Sequence, residues 1–201
     1  KNMIKNVILD VGNVLVDYCW EKHLASFGFP ADIAERVAKA TALSEDWEEY
    51  DRGVLTDAEV LNRFIENDPG VEKEIRMYVE NLSGVIEVYP YAEEWIRAMK
   101  AKGLHVYILS NYGSKCYHDC GSKMDFTKLV DGAVFSWREK VIKPDDAIYQ
   151  LILRRYQLAA GECVFFDDRK VNVEGARRNG ILGIVFENYE QAKQELSVLL
   201  G

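Results

Sequence analysis

No stretch of this chain is long and apolar enough to cross a membrane, and cysteine is scarce. The apolar runs fall far short of the ~20 residues that a membrane-spanning helix needs. The four cysteines, at positions 19, 116, 120 and 163, form no CxxC pair. This pattern is typical of a reduced protein and argues against a disulfide scaffold. The opening KNMIKN leads into a strand, so we expect no signal peptide and a cytoplasmic location.

Basic residues are also in the minority. The chain has 25 Lys and Arg against 33 Asp and Glu, which gives a formal net charge of -8. An acidic surface repels nucleic acids and anionic membranes, so we expect neither as a partner. Anionic small molecules are not excluded, because a bound cation and one lysine can reverse the field within a pocket. Nothing in the sequence indicates an oligomeric state.

Short strand-like runs recur along the chain, and helical patterns separate several of them. The runs cover 6–10, 104–109, 133–136, 163–166 and 182–186. Alternation of strands and helices predicts an α/β fold built on a parallel, doubly wound sheet.

The segment 17–88 lies between the first and second predicted strands and contains no convincing strand. It has the pattern of consecutive helices. Thr56 and Glu59 have capping-box spacing, and apolar Val60, Leu61 and Phe64 follow on one helical face. We therefore expect an α/β core made of residues 1–16 and 89–201, with residues 17–88 inserted as a helical cap domain.

Asp10 stands directly after the first apolar strand, and Gly12 and Asn13 follow it. Reactive groups of parallel sheets lie just beyond the carboxyl ends of the strands. A carboxylate in this position is typical of a nucleophile, a metal ligand or both, and a glycine beside it lets the backbone approach a ligand.

Three later segments also place polar groups after strands or turns. Ser110 and Asn111 end the second strand and are suited to hold phosphate oxygens, although both are also common in turns. Lys143, before Pro144, can neutralise a carboxylate and a phosphoryl group, but an isolated lysine before a turn is common.

Asp167 and Asp168 end a later strand. Adjacent acids repel each other unless a cation or hydrogen bonds compensate, so together with Asp10 they indicate a Mg²⁺ site with oxygen ligands. The alternative is a helix-capping aspartate beside a solvated one.

The four segments resemble, in this order, the four motifs of the haloacid dehalogenase-like (HAD) hydrolase superfamily. The likeness extends over the whole chain, because 17–88 is similar to the helical cap of its subfamily I. It implies a Rossmann-like parallel sheet and phosphoryl transfer through an aspartyl-phosphate, with Mg²⁺ between nucleophile and substrate.

The resemblance implies a role for each matched residue. Asp10 would be the nucleophile and a metal ligand, and Gly12 would offer its backbone carbonyl to the metal. Ser110 and Asn111 would hold the phosphate, and Lys143 would balance charge.

The fourth motif completes the implied metal site. Alignment on Gly180 makes Asp168 the direct metal ligand and leaves Asp167 close by, ligating through water. Asn172 would support the site by orienting a metal-bound water.

One position departs from the superfamily pattern. Most of its phosphatases carry a second aspartate two residues after the nucleophile, where this chain has Gly12. That aspartate protonates the leaving oxygen, and such general acid help is typically worth about 10²–10⁴-fold in rate. The leaving group could be good enough to depart unaided, water or a cap residue could supply the proton, or the phosphatase could be weak. The cap candidates are Asp17, His23, Asp46 and Glu48.

The predicted function is therefore Mg²⁺-dependent hydrolysis of a small phosphorylated metabolite. The chain resembles a DxGN branch of the superfamily that includes phosphatases acting on α-D-glucose 1-phosphate, which favours a sugar phosphate. Trp20, Trp47 and Tyr50 could stack on a sugar or pack the cap against the core.

Two alternatives stay open. A 2-haloacid dehalogenase also lacks the second aspartate, but it needs no metal and hence no acidic pair. A catalytically weak binding or regulatory protein would keep the fold, since fold alone does not settle activity.

Overall fold

The computed structural model describes residues 3–201 and is built on a five-stranded parallel sheet. Two further short strands form a separate ribbon. In chain order the strands are β1 (Asn6–Leu9), β2 (Val16–Tyr18), β3 (Ile86–Val88), β4 (His105–Ser110), β5 (Gly132–Phe135), β6 (Cys163–Asp167) and β7 (Leu182–Val185). The sheet order is β5-β4-β1-β6-β7, with every neighbouring pair parallel. The predicted α/β class and all five predicted sheet strands are confirmed.

Eleven α-helices and four short 3₁₀ segments occupy the remainder of residues 3–201. The α-helices are α1 (Trp20–Ala25), α2 (Ala31–Ala40), α3 (Asp46–Arg52), α4 (Asp57–Asn67), α5 (Glu72–Glu80), α6 (Ala92–Ala101), α7 (Ser114–Cys120), α8 (Ser136–Glu139), α9 (Asp146–Arg155), α10 (Lys170–Arg178) and α11 (Tyr189–Leu200). None of them combines the length and the apolar character that a membrane crossing requires.

The central strands are mostly apolar because both faces of the sheet are covered. In β1, Val7 and Leu9 pack into one core cluster, whereas Ile8 packs into the other. Adjacent β6 repeats this alternation, with Phe166 on the first side and Phe165 on the second. The sheet is therefore a rigid middle layer, and the ends of its strands are held at fixed positions.

The ribbon formed by β2 and β3 is a feature that the sequence did not predict. The two strands are antiparallel, with Val16 opposite Val88 and Tyr18 opposite Ile86. They mark the two ends of the segment 17–88, which we expected to contain no strand. Three residues are too few to display the two-residue alternation of a strand, so this pattern was not visible.

Between β2 and β3 the chain forms helices α1 to α5, as the sequence predicts. The predicted capping box is present at the start of α4. The Glu59 amide donates to Thr56 Oγ1 and the Thr56 amide donates to Glu59 Oε2, each at 3.1 Å. Val60 and Phe64 are buried on the inner face of the helix.

The capping box provides a test of helix stability. Thr56→Ala removes the acceptor for a first-turn amide, and we expect the free energy of unfolding to fall by about 1 kcal/mol in a urea titration. Ser197→Ala, on the exposed face of α11, is the matched control and should change it by less than about 0.5 kcal/mol. Equal values for the two variants would contradict the capping interaction.

Candidate active site at the carboxyl edge of the sheet

The predicted site residues converge where the parallel strands end. Asp10 follows β1, Ser110 ends β4 and Asp167 ends β6. Because these three strands are adjacent and parallel, their ends lie on the same edge of the sheet. A cavity of about 240 Å³ opens there. Its lining includes most of the predicted site, namely Asp10, Gly12, Asn111, Lys143, Asp168 and Asn172.

Lys143 lies at the centre of this arrangement and is almost completely buried, with 2% of its surface exposed. Its ammonium group is 3.0 Å from Asp10 Oδ1 and 2.7 Å from Asp167 Oδ2. It also donates to the Leu109 carbonyl at 2.9 Å. All three of its N–H donors therefore have an acceptor.

Burial and the neighbouring charges both shift the pKa values of these residues. Burial alone would lower the pKa of Lys143, but Asp10 and Asp167 outweigh it and raise that pKa. Burial and then Asp167 raise the pKa of Asp10 above its ordinary range, and Lys143 opposes the shift. One lysine thus faces more negative charge than it can neutralise, which favours a further cation.

Asn111 positions Lys143. Its side-chain amide donates to the Lys143 carbonyl at 3.0 Å, and its Oδ1 accepts from the Lys143 amide at 2.8 Å. Ser110 is buried and lies outside the cavity lining. The phosphate contacts expected for Ser110 and Asn111 stay predictions, whereas the pair of bonds from Asn111 to Lys143 is a role that the sequence did not indicate.

The adjacent acids of the fourth motif have different surroundings. Asp167 is fully buried and accepts hydrogen bonds from Lys143, the Arg169 amide and Asn172. Asp168 is half-buried, lines the cavity and accepts one hydrogen bond, from Asn13 at 3.1 Å. Asp168 therefore has the greater free capacity to bind a ligand from the cavity.

The donor set fits a hard divalent cation. Asp10, Asp167 and Asp168 each offer a carboxylate oxygen, and these oxygens lie within 4.8 Å of one another. Within residues 3–201 the Gly12 carbonyl accepts no backbone hydrogen bond, and the buried Asn172 Oδ1 has no partner. Oxygen ligands of this kind are those that Mg²⁺ prefers.

Steric crowding does not require a glycine at position 12. A Cβ atom at this position would meet only Tyr18 Cβ, at 3.9 Å, which is ordinary van der Waals contact. Its φ lies outside the left-handed region. Neither a steric clash at Cβ nor the backbone conformation therefore requires a glycine at position 12.

The four cap residues considered as proton donors lie outside the cavity lining. His23 Nε2 bonds to the Tyr78 carbonyl, Asp46 pairs with Arg63, and Glu48 pairs with Arg52. Asp17 belongs to the β2–β3 ribbon. Of the three aromatic residues considered for sugar stacking, Trp47 and Tyr50 line the cavity and Trp20 does not.

Asp51 is a cavity residue that the sequence reasoning missed. It projects from α3 beside Trp47 and Tyr50 and faces the site from the inserted helices. Burial raises its pKa to about 8, an effect that Lys143 opposes and that Glu48 and Asp10 reinforce. A carboxylate next to two aromatic residues of a helix is the sequence signal that could have indicated it.

Comparisons with known proteins identify the family. The model of the haloacid dehalogenase-like hydrolase family matches residues 4–180. Sesquiterpene phosphatase astK of Aspergillus oryzae is 24% identical over 197 residues, which cover 98% of this chain and 97% of that protein.

Solved structures share the fold. A HAD family enzyme from Bacteroides thetaiotaomicron, in complex with magnesium and inorganic phosphate, matches with a TM-score of 0.71 and 20% identity over 94% of this chain and 98% of that chain. L-2-haloacid dehalogenase from Xanthobacter autotrophicus, with chloropropionic acid covalently bound, matches with a TM-score of 0.64 and 18% identity over 98% and 83%. Because the family model spans residues 4–180, the chain belongs to the haloacid dehalogenase-like hydrolase family.

Proposed function

We propose that this hydrolase is a phosphatase that cleaves a small phosphorylated metabolite through an aspartyl-phosphate at Asp10. The observation that carries the proposal is the buried contact of Lys143 with both Asp10 and Asp167 beside the open carboxylate of Asp168. The contact fixes the Asp10 carboxylate at the cavity and places the positive charge of Lys143 beside it. Phosphoryl transfer needs such positioning and charge compensation above all.

Asp10 is the nucleophile in this proposal. An oxygen of its carboxylate attacks phosphorus in line, the bond from phosphorus to the leaving oxygen breaks, and water then hydrolyses the resulting mixed anhydride. The other Asp10 oxygen accepts the Val11 amide at 2.8 Å, which restricts rotation of the carboxylate. Lys143 offsets the negative charge that accumulates during transfer.

Asp10, Asp168 and the Gly12 carbonyl are the groups that would hold Mg²⁺, with Asp167 in the surrounding shell and Asn172 orienting a ligand water. Bound Mg²⁺ would supply Lewis-acid stabilisation of the phosphoryl oxygens. The relative from Bacteroides thetaiotaomicron that was solved with magnesium and inorganic phosphate supports this choice of cation.

The segment 17–88 acts as the cap in this proposal, over a core of residues 1–16 and 89–201. Trp47, Tyr50 and Asp51 come from the segment and line the cavity together with Asp10 and Lys143. A substrate bound between the two parts would be shielded from water. The sugar phosphate favoured by the sequence and the cytoplasmic location stay predictions, and the four free cysteines support the latter.

Dehalogenation is a weaker candidate for this site. It would use Asp10 without a metal, and within residues 3–201 it would leave Lys143 as the one compensating cation in contact with the cluster of Asp10, Asp167 and Asp168. Halide release from 2-haloacids, with no phosphate release from any phosphate ester, would favour it over the phosphatase.

The nucleophile is tested first. Asp10→Asn cannot form the aspartyl-phosphate, so Mg²⁺-dependent phosphate release from sugar phosphates, nucleotides and dinitrophenyl phosphate should fall to background. Asp125→Asn, which breaks a surface ion pair with Lys128, is the control and should keep the wild-type rate. Substantial turnover by Asp10→Asn would exclude the proposed intermediate.

The metal site is tested at Asp168. Asp168→Ala removes a carboxylate ligand, so the Mg²⁺ concentration for half-maximal activity should rise at least about tenfold. The rise in melting temperature on adding Mg²⁺ should shrink in parallel, and this measurement needs no turnover. An unchanged Mg²⁺ titration by both methods would remove Asp168 from the ligand set.

The central lysine is tested through stability. Lys143→Met leaves the buried Asp10 and Asp167 without their cation, so we expect the free energy of unfolding in EDTA to fall by about 3–5 kcal/mol. Lys128→Met, on the surface, should change it by less than about 0.5 kcal/mol. A loss at position 143 as small as that of the control would contradict the structural role of the buried ammonium group.

A further inference from the structure

We propose that Asp51, on the inserted helix α3, is the general acid that protonates the leaving oxygen in place of the side chain absent at Gly12. This inference rests on the proposed phosphatase function. It assigns a catalytic role to a residue that lies outside the nucleophile motif, on a helix of the inserted segment.

The position of Asp51 is fixed from two sides. Ser136 Oγ donates to the Asp51 carbonyl at 2.6 Å, and it accepts from the Tyr112 amide at 2.9 Å. At the end of α3, the Gly53 carbonyl accepts from Lys140. These bonds tie the end of α3 to the loop that follows β4 and to helix α8, so the backbone that carries the Asp51 side chain is held in place at the cavity.

The carboxyl group itself is uncommitted. Within residues 3–201 it makes no hydrogen bond and no ion pair with another side chain, although it lines the same cavity as Asp10. The neighbouring Arg52 is instead directed to Glu48, Glu49 and Asp145. A carboxyl group without an internal partner is free to bond to a substrate oxygen.

Its surroundings favour the protonated form. Burial has the largest effect on the pKa of Asp51 and raises it to about 8. The charged groups that face it are Glu48 from its own helix and Asp10, Lys143 and Arg169 from the core; the two acids raise the pKa and the two bases lower it. A carboxylic acid that is protonated near neutral pH can donate a proton.

The other neutral titratable side chains in the lining, three tyrosines and Cys116, are poorer acids. A hydrogen bond with Cys120, and then burial, raises the pKa of the Cys116 thiol well above its ordinary value. Burial raises the pKa of Tyr18, Tyr50 and Tyr112 above that of an ordinary phenol. Lys143 is committed to three acceptors. Asp10 and Asp168 are assigned to attack and to metal binding. Among the cavity residues, Asp51 is therefore the best candidate for the general acid that protonates the leaving oxygen.

As Asp10 forms its bond to phosphorus, the bond from phosphorus to the leaving oxygen breaks, and that oxygen takes the Asp51 proton. The products are an alcohol, the aspartyl-phosphate and the Asp51 carboxylate. The carboxylate then accepts a proton from the water that hydrolyses the aspartyl-phosphate, and this restores the acid.

The test compares leaving groups. Asp51→Asn keeps the shape of the side chain but cannot transfer a proton, so kcat/KM for an alkyl phosphate should fall about 10²–10⁴-fold. For dinitrophenyl phosphate, whose leaving group needs no proton, the loss should stay within about tenfold. Glu49→Gln, on the same helix outside the cavity, is the control and should leave both values unchanged.

The results distinguish a failure of the Asp51 assignment from a failure of the proposed phosphatase function. If wild type does not hydrolyse even dinitrophenyl phosphate, the phosphatase function is wrong and the Asp51 assignment falls with it. If wild type is active and Asp51→Asn affects both substrates equally, or neither, the assignment alone is overturned.

A second variant keeps the test decisive if Asp51→Asn does not fold. Gly12→Asp supplies the second aspartate at the position common in the superfamily, and a Cβ atom there would meet only Tyr18 Cβ, at 3.9 Å. With Asp51 intact, Gly12→Asp should change the two substrates equally, because the proton is already provided. A selective gain for the alkyl phosphate would overturn the assignment. In a folded Asp51→Asn background, the same substitution should selectively restore alkyl phosphate hydrolysis.

Discussion

The buried ammonium group of Lys143 joins the ends of three parallel strands through Asp10, the Leu109 carbonyl and Asp167. A buried cation of this kind is stable only when its acceptors are in place, and the acceptors are stable only with the cation. The geometry of the nucleophile and the acidic cluster both depend on this contact. Asn111 reinforces it by holding the backbone of Lys143 from both its amide and its carbonyl.

The inserted helices complete the cavity that this edge of the sheet begins. The core contributes the groups suited to attack, charge compensation and metal binding, whereas α3 contributes Trp47, Tyr50 and Asp51. The proposed site can therefore function with Gly12 in place of the second carboxylate, because Asp51 of the inserted segment provides an acid at the same cavity.

Several elements were predictable because their physical signal is local. The five sheet strands are continuous apolar runs, since the sheet is covered on both faces, and the capping box of α4 is a three-residue spacing. The strands β2 and β3 were not predictable, because each has only three residues and gains its hydrogen bonds from a partner about seventy positions away. The four proton donors proposed from sequence lie outside the cavity lining for a related reason: the local pattern does not tell which side chains of the inserted segment meet the site.

The residue pattern alone predicts the α/β class, the four segments that supply the site, and the absence of a carboxylate at position 12. These are properties of short runs of residues and of their order along parallel strands. The folded arrangement is needed to see that Asn111 holds Lys143, that Asp167 is enclosed while Asp168 is open, and that Asp51 lines the same cavity as Asp10. Burial, hydrogen-bond partners and pKa values depend on groups distant in the chain, and folding brings these groups into contact.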